Sequence, residues 1–134
     1  IDSRDGALEE ASFAAATERL AALPADAVTS RLGGARGTGT AVVIVAHDYK
    51  VELPVLRVAL RSGAPYVGML GSRTRSGAVR ALLAEDGLSD AELARLRAPI
   101  GLRIGAQGPA EIAVSIVAEL IAAWHGALPS EPAR

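Results

Sequence analysis

The sequence predicts an α/β domain with a doubly wound, mostly parallel sheet and helices on both faces. Three short apolar stretches, at residues 41–46, 66–70 and 100–104, have the composition of buried strands. Each is followed by a longer segment whose apolar residues recur at helical spacing. Regular alternation of strand and helix is typical of parallel sheets, because parallel strands need a crossover connection.

Composition supports one globular domain and excludes several classes of protein. The 134 residues are 50% hydrophobic, which is enough to bury a core. A formal net charge of −1 gives no electrostatic case for binding nucleic acid or an anionic membrane. The absence of cysteine excludes disulfides and thiolate metal sites. No apolar run approaches the roughly 18 residues of a membrane span, and no signal peptide is visible, so we expect a cytoplasmic protein. We assign residues 1–126 to the domain and expect a disordered tail over residues 127–134.

The first forty residues carry weaker signals. The Ala-rich segment 7–20 predicts a weakly amphipathic helix, with residues 17–20 as a separate short helix that Pro24 ends. Residues 27–29 are a candidate small strand. The glycine-rich segment 31–40 predicts a mobile loop, and it does not have the pattern of a phosphate loop because its glycines precede a strand.

The later elements are better defined. The β-branched run at 41–46 predicts a strand buried on both faces. Helices are predicted over residues 53–61, with Pro54 in the first turn, over 73–85, and from Ser89 to about Arg97 with capping-box spacing. A last helix from Pro109 to about His125 is expected to bury its apolar residues and to turn a polar side to solvent or to a subunit interface. The apolar set is Ile112, Ile116, Val117, Leu120, Ile121 and Trp124, and the polar set is Glu111, Ser115 and Glu119.

Polar or small residues follow each predicted strand. The pairs are Ile1-Asp2, His47-Asp48, Gly71-Ser72 and Gly105-Ala106. Since ligands of open parallel sheets bind beyond the carboxyl ends of the strands, we expect these pairs to converge on one edge. Asp2 is placed to bond a ribose hydroxyl, or is simply an exposed terminal residue. His47 and Asp48 are placed to bind a cofactor or to move a proton, or to form a structural turn.

The segment from Tyr66 to Arg73 is the strongest candidate for an anion site. A buried strand passes through Gly71 into a helix that Ser72 can cap, and the first turn of such a helix presents unpaired backbone N–H groups. Ser72, Arg73 and Arg75 supply further donors. The alternative is an ordinary strand–helix turn with a solvated basic rim. Gly105 and Ala106 let the backbone approach either a ligand or the next helix. No cluster has metal-ligand spacing, and the two histidines, His47 and His125, are far apart in sequence.

Five motifs in order resemble the Rossmann-like domain of the XdhC/CoxF family. They are His47-Asp48, Pro54-x-Leu56, the segment Tyr66 to Arg73, the segment Pro99 to Ala106, and Pro109-x-Glu111-Ile112-Ala113-x-Ser115-Ile116-x-Ala118-Glu119. The similarity covers most of residues 41–126. Residues 1–4 are similar to the family's Asp-Pro-Arg segment at the end of its second strand.

The resemblance implies an incomplete Rossmann-like domain that binds molybdenum cofactor or a nucleotide. Family members are accessory proteins, rather than enzymes, that help to insert sulfurated molybdenum cofactor into xanthine dehydrogenase-type apo-enzymes. The residues that would contact the cofactor are Asp2, His47, Asp48, Gly71, Ser72, Arg73, Gly105 and Ala106. Two alternatives are an NAD(P)-binding domain of an oxidoreductase and an assembly scaffold whose last helix pairs with another copy.

The sequence also departs from the family pattern. The family's first strand, its glycine-rich turn and its cysteine-bearing N-terminal domain are missing, which indicates a fragment of a longer protein. A missing central strand would expose a sheet edge, and we therefore expect a homodimer. Ala46 replaces a frequent Thr, and Arg103 replaces a frequent Asp. Gly108 and Ala110 replace Thr and Glu, which alters the cap of the last helix.

Overall fold

The computed structural model of the protein describes residues 1, 2, 4, 6, 9, 11–32 and 39–128. Its described elements, in chain order, are a 3-10 turn Ala11–Phe13, α1 Pro24–Leu32, β1 Ala41–Ile44, α2 Tyr49–Arg61, β2 Tyr66–Met69, α3 Arg73–Glu85, α4 Asp90–Ala94, β3 Leu96–Arg97 and α5 Pro109–Trp124. None of the described helices is both long and apolar enough to cross a membrane.

The three strands form one parallel sheet in the order β1-β2-β3. Ala41 pairs with Tyr66 and Ile44 with Met69, while Val67 pairs with Leu96. Helices α2 and α3 are the crossovers that parallel pairing requires. The α/β class and the parallel sheet are therefore confirmed.

The main core lies on one face of the sheet. Side chains alternate between the two faces of a strand, so Val42, Ile44, Val67 and Met69 all point to this face. They pack against residues of α1, α2 and α3 that are almost fully buried. These helix residues are Val28, Leu32, Val55, Leu56, Ala59, Leu60, Val79 and Leu83. Burying one such aliphatic side chain contributes about 1.5–3 kcal/mol, so this layer supplies much of the stability.

Helix α5 lies on the opposite face, and only part of its expected orientation is confirmed. Ile112, Ile116 and Leu120 are partly buried and Glu111 is exposed, but the rest of the expectation is wrong. Its polar residues Ser115 and Glu119 are buried, at 4% and 1% exposure, whereas Val117 and Trp124 are exposed. Glu119 accepts hydrogen bonds from the Tyr66 hydroxyl at 2.5 Å and from the Gly101 N–H at 2.8 Å. Buried donors need an acceptor, and that requirement outweighs the tendency of a carboxylate to face water.

Burial of β1 on both faces was also a wrong prediction. Val42 and Ile44 are buried, but Val43 and Val45 are 39% and 60% exposed. Val43 pairs with Gly68, and Gly68 alternates with Tyr66, so these exposed valines lie on the α5 face of the sheet. Helix α5 covers β2 on that face and leaves β1 uncovered.

The expectations for the first forty residues were mostly wrong where the structure tests them. Residues 27–29 belong to α1 and not to a strand, and Pro24 begins this helix rather than ending one, as its fixed φ allows at the first helical position. Between residues 11 and 20 only the 3-10 turn is regular, and residues 17–20 are not helical. Residues 7, 8 and 10, and residues 33–38 of the glycine-rich segment, lie outside the described part of the chain, as do residues 129–134 of the tail.

The third strand lies upstream of its predicted position. Helix α4 ends at Ala94, and residues 96–97 pair with β2, whereas residues 100–104 are not in a strand. Leu96 and Ala98 are buried in the core, which draws this segment into the sheet. After the cis Ala98–Pro99 bond, Ile100 still donates its N–H to the Met69 carbonyl at 3.0 Å.

The predicted starts of the other helices divide into two groups. Helices α3, α4 and α5 begin within one residue of the expected positions, and α4 has the complete Ser89–Glu92 capping box. Helix α2 begins at Tyr49, four residues before the predicted start, because Asp48 caps it, so Pro54 lies inside the helix rather than in its first turn.

Candidate functional site

The loops after β1 and β2 leave the sheet side by side. The two strands are parallel and in register from Ala41 to Ile44, and Leu70 donates its N–H to the Ile44 carbonyl at 2.8 Å. His47 and Asp48 therefore follow one strand at the same edge at which Gly71 and Ser72 follow the other. We call this the carboxyl edge. It brings together His47, Asp48, Gly71, Ser72 and Arg73, as the sequence predicts.

Asp48 has a clear structural role at this edge. Its extended backbone and its side chain cap α2, with Oδ1 accepting from the Lys50 N–H at 2.9 Å. Such a cap stabilises a helix by about 1 kcal/mol. His47 is exposed directly before the cap. His47 thus lies at the N-terminus of α2.

Ser72 has the corresponding role for α3. Its Oγ accepts from the Arg75 N–H at 3.2 Å, and its carbonyl accepts from the Ser76 hydroxyl at 2.9 Å. The Ser72 hydroxyl is also able to donate a hydrogen bond. Arg73, the first helical residue, is exposed. A side chain on Gly71 would press against Arg75 Cδ, at 3.3 Å, so glycine keeps this turn tight.

A cluster that sequence reasoning largely missed joins the two helix starts. The Arg75 guanidinium forms an ion pair with Glu52, which is fully buried, and lies 4.4 Å from the centre of the Tyr49 ring. Glu52 Oε1 and Arg75 Nε have no hydrogen-bond partner among the described residues. We name these residues the Tyr49–Glu52–Arg75 cluster. Glu52 and Tyr49 were overlooked because α2 was predicted to start after them.

Gly105 and Ala106 lie in the segment that leads from Ile100 to α5. Because Ile100 bonds to Met69, this segment also leaves the sheet at the carboxyl edge. Gly105 has a φ of +79°, a backbone conformation that favours glycine. Gly108 caps α5 without a side-chain hydrogen bond, and Glu111 instead accepts from the Gln107 N–H at 2.8 Å. The altered cap that the sequence indicates is thus present.

Asp2 lies in a different strand pairing. It forms an isolated parallel bridge with Ala21, and no described pairing joins this bridge to the three-stranded sheet. Arg4 donates to its carboxylate from Nη2 at 2.6 Å and from its backbone N–H at 3.0 Å. These hydrogen bonds hold the pKa of Asp2 well below its usual range. The carboxylate already has a partner, which leaves it less available to a ribose hydroxyl.

A second polar cluster lies between α5 and the sheet. Glu119 lies within 3.4 Å of Arg97 Nε, in addition to its bonds with Tyr66 and Gly101. Burial raises the pKa of the Tyr66 hydroxyl far above its ordinary value, and the bond to Glu119 adds to this effect. A Cβ on Gly101 would overlap Ser115 Oγ, so this glycine packs directly on α5. The cluster is structural.

The two cavities described in the structure do not lie at the carboxyl edge. Two cavities of about 330 and 140 Å³ are lined by residues from the end of α2 and the start of β2, away from the carboxyl edge. Neither includes a predicted site residue. Within the described residues, no group of His, Asp and Glu side chains could hold a metal ion.

Comparison with known proteins identifies relatives of this chain. The chain is 37% identical over 81 residues to a Bacillus subtilis protein named as a probable xanthine dehydrogenase subunit, covering 60% of this chain and 22% of that protein. It is 37% identical over 83 residues to the "Molybdenum cofactor insertion chaperone PaoD" of Escherichia coli, covering 62% and 26%.

A solved structure agrees with these relatives. The crystal structure of a xanthine dehydrogenase from Bacillus halodurans superposes with a TM-score of 0.69 at 33% identity, covering 93% of this chain and 34% of that chain. The chain thus spans between about a fifth and a third of the length of these relatives. The XdhC Rossmann domain family matches residues 1–120, and the chain belongs to that family.

Proposed function

We propose that this domain binds a phosphate-bearing cofactor, of the molybdenum cofactor class, at the carboxyl edge of its sheet. The longer protein would act as an accessory chaperone that delivers the cofactor to a xanthine dehydrogenase-type apo-enzyme. The observation that carries the proposal is the adjacent placement of two helix N-termini, those of α2 and α3, with the exposed Arg73 beside them.

The donor set at this edge suits an anion. The partial positive charges of the two helix starts add at one place, because the Tyr49–Glu52–Arg75 cluster joins the first turns. The Ser72 hydroxyl and the Arg73 guanidinium supply directed donors. Asp48 contributes a negative charge, but this charge is already bonded to the first turn of α2. The net effect favours a phosphate close to Arg73.

The remaining predicted residues have supporting roles in this proposal. His47, exposed beside the cap of α2, would hydrogen-bond a polar group of the cofactor or hold a proton there. Gly105 and Ala106 would let the backbone approach the ligand, since the space around Gly105 is open. We do not assign a contact to Asp2, because Arg4 already occupies its carboxylate.

The names of two relatives support molybdenum cofactor as the ligand and a xanthine dehydrogenase as the protein that receives it. One relative is named for molybdenum cofactor insertion, and another is named as part of a xanthine dehydrogenase. None of these names mentions a nicotinamide cofactor, and no observation favours NAD(P) here. Neither described cavity includes a predicted site residue, so we expect weak binding by this domain, with further contacts from outside it.

We also propose that the domain forms a homodimer. The outer edge of β1 has no described strand partner, and apolar side chains of β1 and α5 are exposed. Exposed apolar surface of this kind marks interaction sites in soluble proteins.

The binding proposal is tested by titrating the protein with molybdopterin and with inorganic pyrophosphate, using calorimetry. Arg73→Ala should lower the affinity about tenfold or more, because a hydrogen bond to a charged group contributes roughly 1.5–3 kcal/mol. Arg31→Ala is the matched control. Arg31 is also exposed, but it lies in the last turn of α1, away from the carboxyl edge. Equal affinity of the Arg73 variant and wild type, or no binding of either ligand by wild type, would contradict the proposal.

A further inference from the structure

We propose that α5 pairs with α5 of a second copy in an antiparallel, two-fold symmetric interface. This inference deepens the proposed homodimer by naming its surface. The surface is the α5 stripe, which we define as Val114, Val117, Ile121 and Trp124. These four residues are 54–73% exposed.

The stripe is a continuous apolar side of the helix. Its members are spaced by three, four and three residues, which places them on one side of an α-helix over about 15 Å. The other exposed residues on this side include the small Ala110 and Ala113. Small residues between large ones let two helices approach closely. Side chains of this size are rarely left uncovered together on a monomer.

The order of large and small residues along α5 is complementary to that of a second, antiparallel copy of α5. When two copies of α5 are antiparallel with the axis close to Val117, Val114 of one copy faces Ile121 of the other. Trp124 then faces Ala110 of the second copy, so the largest side chain meets one of the smallest. An interface between identical surfaces requires this kind of self-complementarity, because each contact occurs twice.

The polar side chains at the two ends of the stripe agree with this arrangement. Glu111 is exposed in the first turn of α5, and His125 is exposed at its C-cap. In the antiparallel pair, Glu111 of each copy comes close to His125 of the other. A parallel pair would place the two carboxylates together instead. An imidazole can hydrogen-bond a carboxylate, whereas two carboxylates repel each other, so these side chains favour the antiparallel orientation.

The size of the surface predicts a reversible dimer. Two helices of 16 residues in contact bury less than the roughly 1,200 Å² below which association is usually weak or transient. We therefore expect a micromolar dissociation constant for the domain. The α5 stripe contains no predicted ligand residue, so dimerisation and ligand binding can fail separately.

The test is sedimentation velocity of the protein from about 1 to about 100 μM, a range that brackets a micromolar constant. Wild type should shift from monomer to dimer across this range. Val117→Glu places two carboxylates at the axis and should raise the dissociation constant more than about a hundredfold. Leu23→Glu is the matched control, because Leu23 is 66% exposed directly before α1, on the other face of the sheet. It should leave the dimer unchanged.

A charge exchange tests the orientation itself. Glu111→Arg and His125→Glu should each weaken the dimer, and the double variant should restore most of the affinity. A wild type that stays monomeric at every concentration would overturn the proposal, as would equal losses in the Val117 and Leu23 variants or a double variant no better than the singles. Circular dichroism confirms folding, and Val117→Glu should bind pyrophosphate as wild type does, whatever the oligomeric state.

Discussion

Glu119 is the residue on which the packing of α5 depends. Its carboxylate is 1% exposed and accepts hydrogen bonds from the Tyr66 hydroxyl and the Gly101 N–H, with Arg97 at 3.4 Å. A buried charge is tolerated only when paired and hydrogen-bonded. These three partners come from β2, from β3 and from the loop after it, so one side chain fixes α5 against all of them.

Replacing this carboxylate should be costly. We expect Glu119→Ala to lower the free energy of unfolding by about 3–5 kcal/mol, because it leaves the buried Arg97 without its carboxylate partner and removes the acceptor of two buried donors. Tyr66→Phe removes a single bond and should cost about 1–2 kcal/mol. Urea unfolding followed by circular dichroism measures both. Glu85→Ala, on the exposed end of α3, is the control and should change stability by less than about 0.5 kcal/mol. A loss below about 1 kcal/mol for Glu119→Ala would mean that α5 is held by other contacts.

Glu52 shows that a residue of the same type can be buried for a different purpose. Glu52 is fully buried on α2, and its partner Arg75 lies on α3 beneath the ring of Tyr49. The pair holds two helix starts together at the carboxyl edge instead of fixing a helix to the sheet. The anion site proposed there depends on this distance between helices. Arg75, which the sequence offers as a donor to the anion, is instead paired with Glu52.

At the scale of elements, local capping chemistry decides where helices start. Ser72 and Ser89 each accept a hydrogen bond from the N–H three residues later, and both helices begin where the sequence predicts. In α4, Glu92 completes the box by accepting from the Ser89 N–H at 2.7 Å and from its hydroxyl at 2.8 Å. These bonds lower the pKa of Glu92, the backbone bond most.

This capping box predicts a pH dependence. The folded state holds the Glu92 proton less tightly than the unfolded chain, whose glutamate titrates near 4.5. The charge therefore stabilises the fold above about pH 4.5, and this contribution is lost as the pH falls through the lowered pKa. Glu92→Gln should be less stable than wild type at neutral pH, and this difference should be smaller at about pH 3. Ser89→Ala keeps the backbone bond and should retain part of the dependence. Urea midpoints at both pH values provide the measurement, and a constant difference between wild type and Glu92→Gln would refute the interpretation.

The elements that sequence reasoning misplaced are those fixed by contacts distant in the chain. Residues 96–97 form β3 because Leu96 is buried beside β2, and nothing in the local pattern separates this segment from the end of α4. The orientation of α5 could not be predicted because the helix is apolar on nearly every side, so the rule that polar residues face water had only Glu111, Ser115 and Glu119 to act on. The buried Tyr66 hydroxyl and Gly101 N–H both need an acceptor, so Glu119 faces them instead of the solvent.

The candidate site was predictable to the extent that it follows from parallel pairing. Once β1 and β2 are parallel neighbours, His47-Asp48 and Gly71-Ser72-Arg73 must leave the sheet at one edge. Ion pairing between helices has no such local signal, and the Glu52–Arg75 contact joins residues 23 apart in sequence. The role of Asp2 depends on the competing Arg4, which lies only two residues away but whose side-chain direction the sequence does not indicate.

For the molecule as a whole, the two faces of the sheet are unequally covered. Among the helices that the structure describes, α1, α2 and α3 bury one face and only α5 lies on the other. This second side of the sheet carries exposed apolar residues, namely Val43 and Val45 of the β1 segment and the α5 stripe. A parallel sheet normally has both faces covered. The uncovered face is thus a surface on which other polypeptide can pack.

A matched pair of substitutions in β1 distinguishes the two faces. Val42→Thr introduces a hydroxyl into the main core, where Val42 is 8% exposed, and should cost about 1–3 kcal/mol of unfolding free energy. Val43→Thr makes the same chemical change one residue later, at 39% exposure, and should alter stability by less than about 0.5 kcal/mol. Threonine suits a strand as well as valine does, so strand propensity is the same in both variants. Urea unfolding at low protein concentration, where the dimer is dissociated, gives both values. If Val43→Thr costs as much as Val42→Thr under these conditions, the outer face of β1 is covered within the monomer. The asymmetry from which we infer an interaction surface would then be absent.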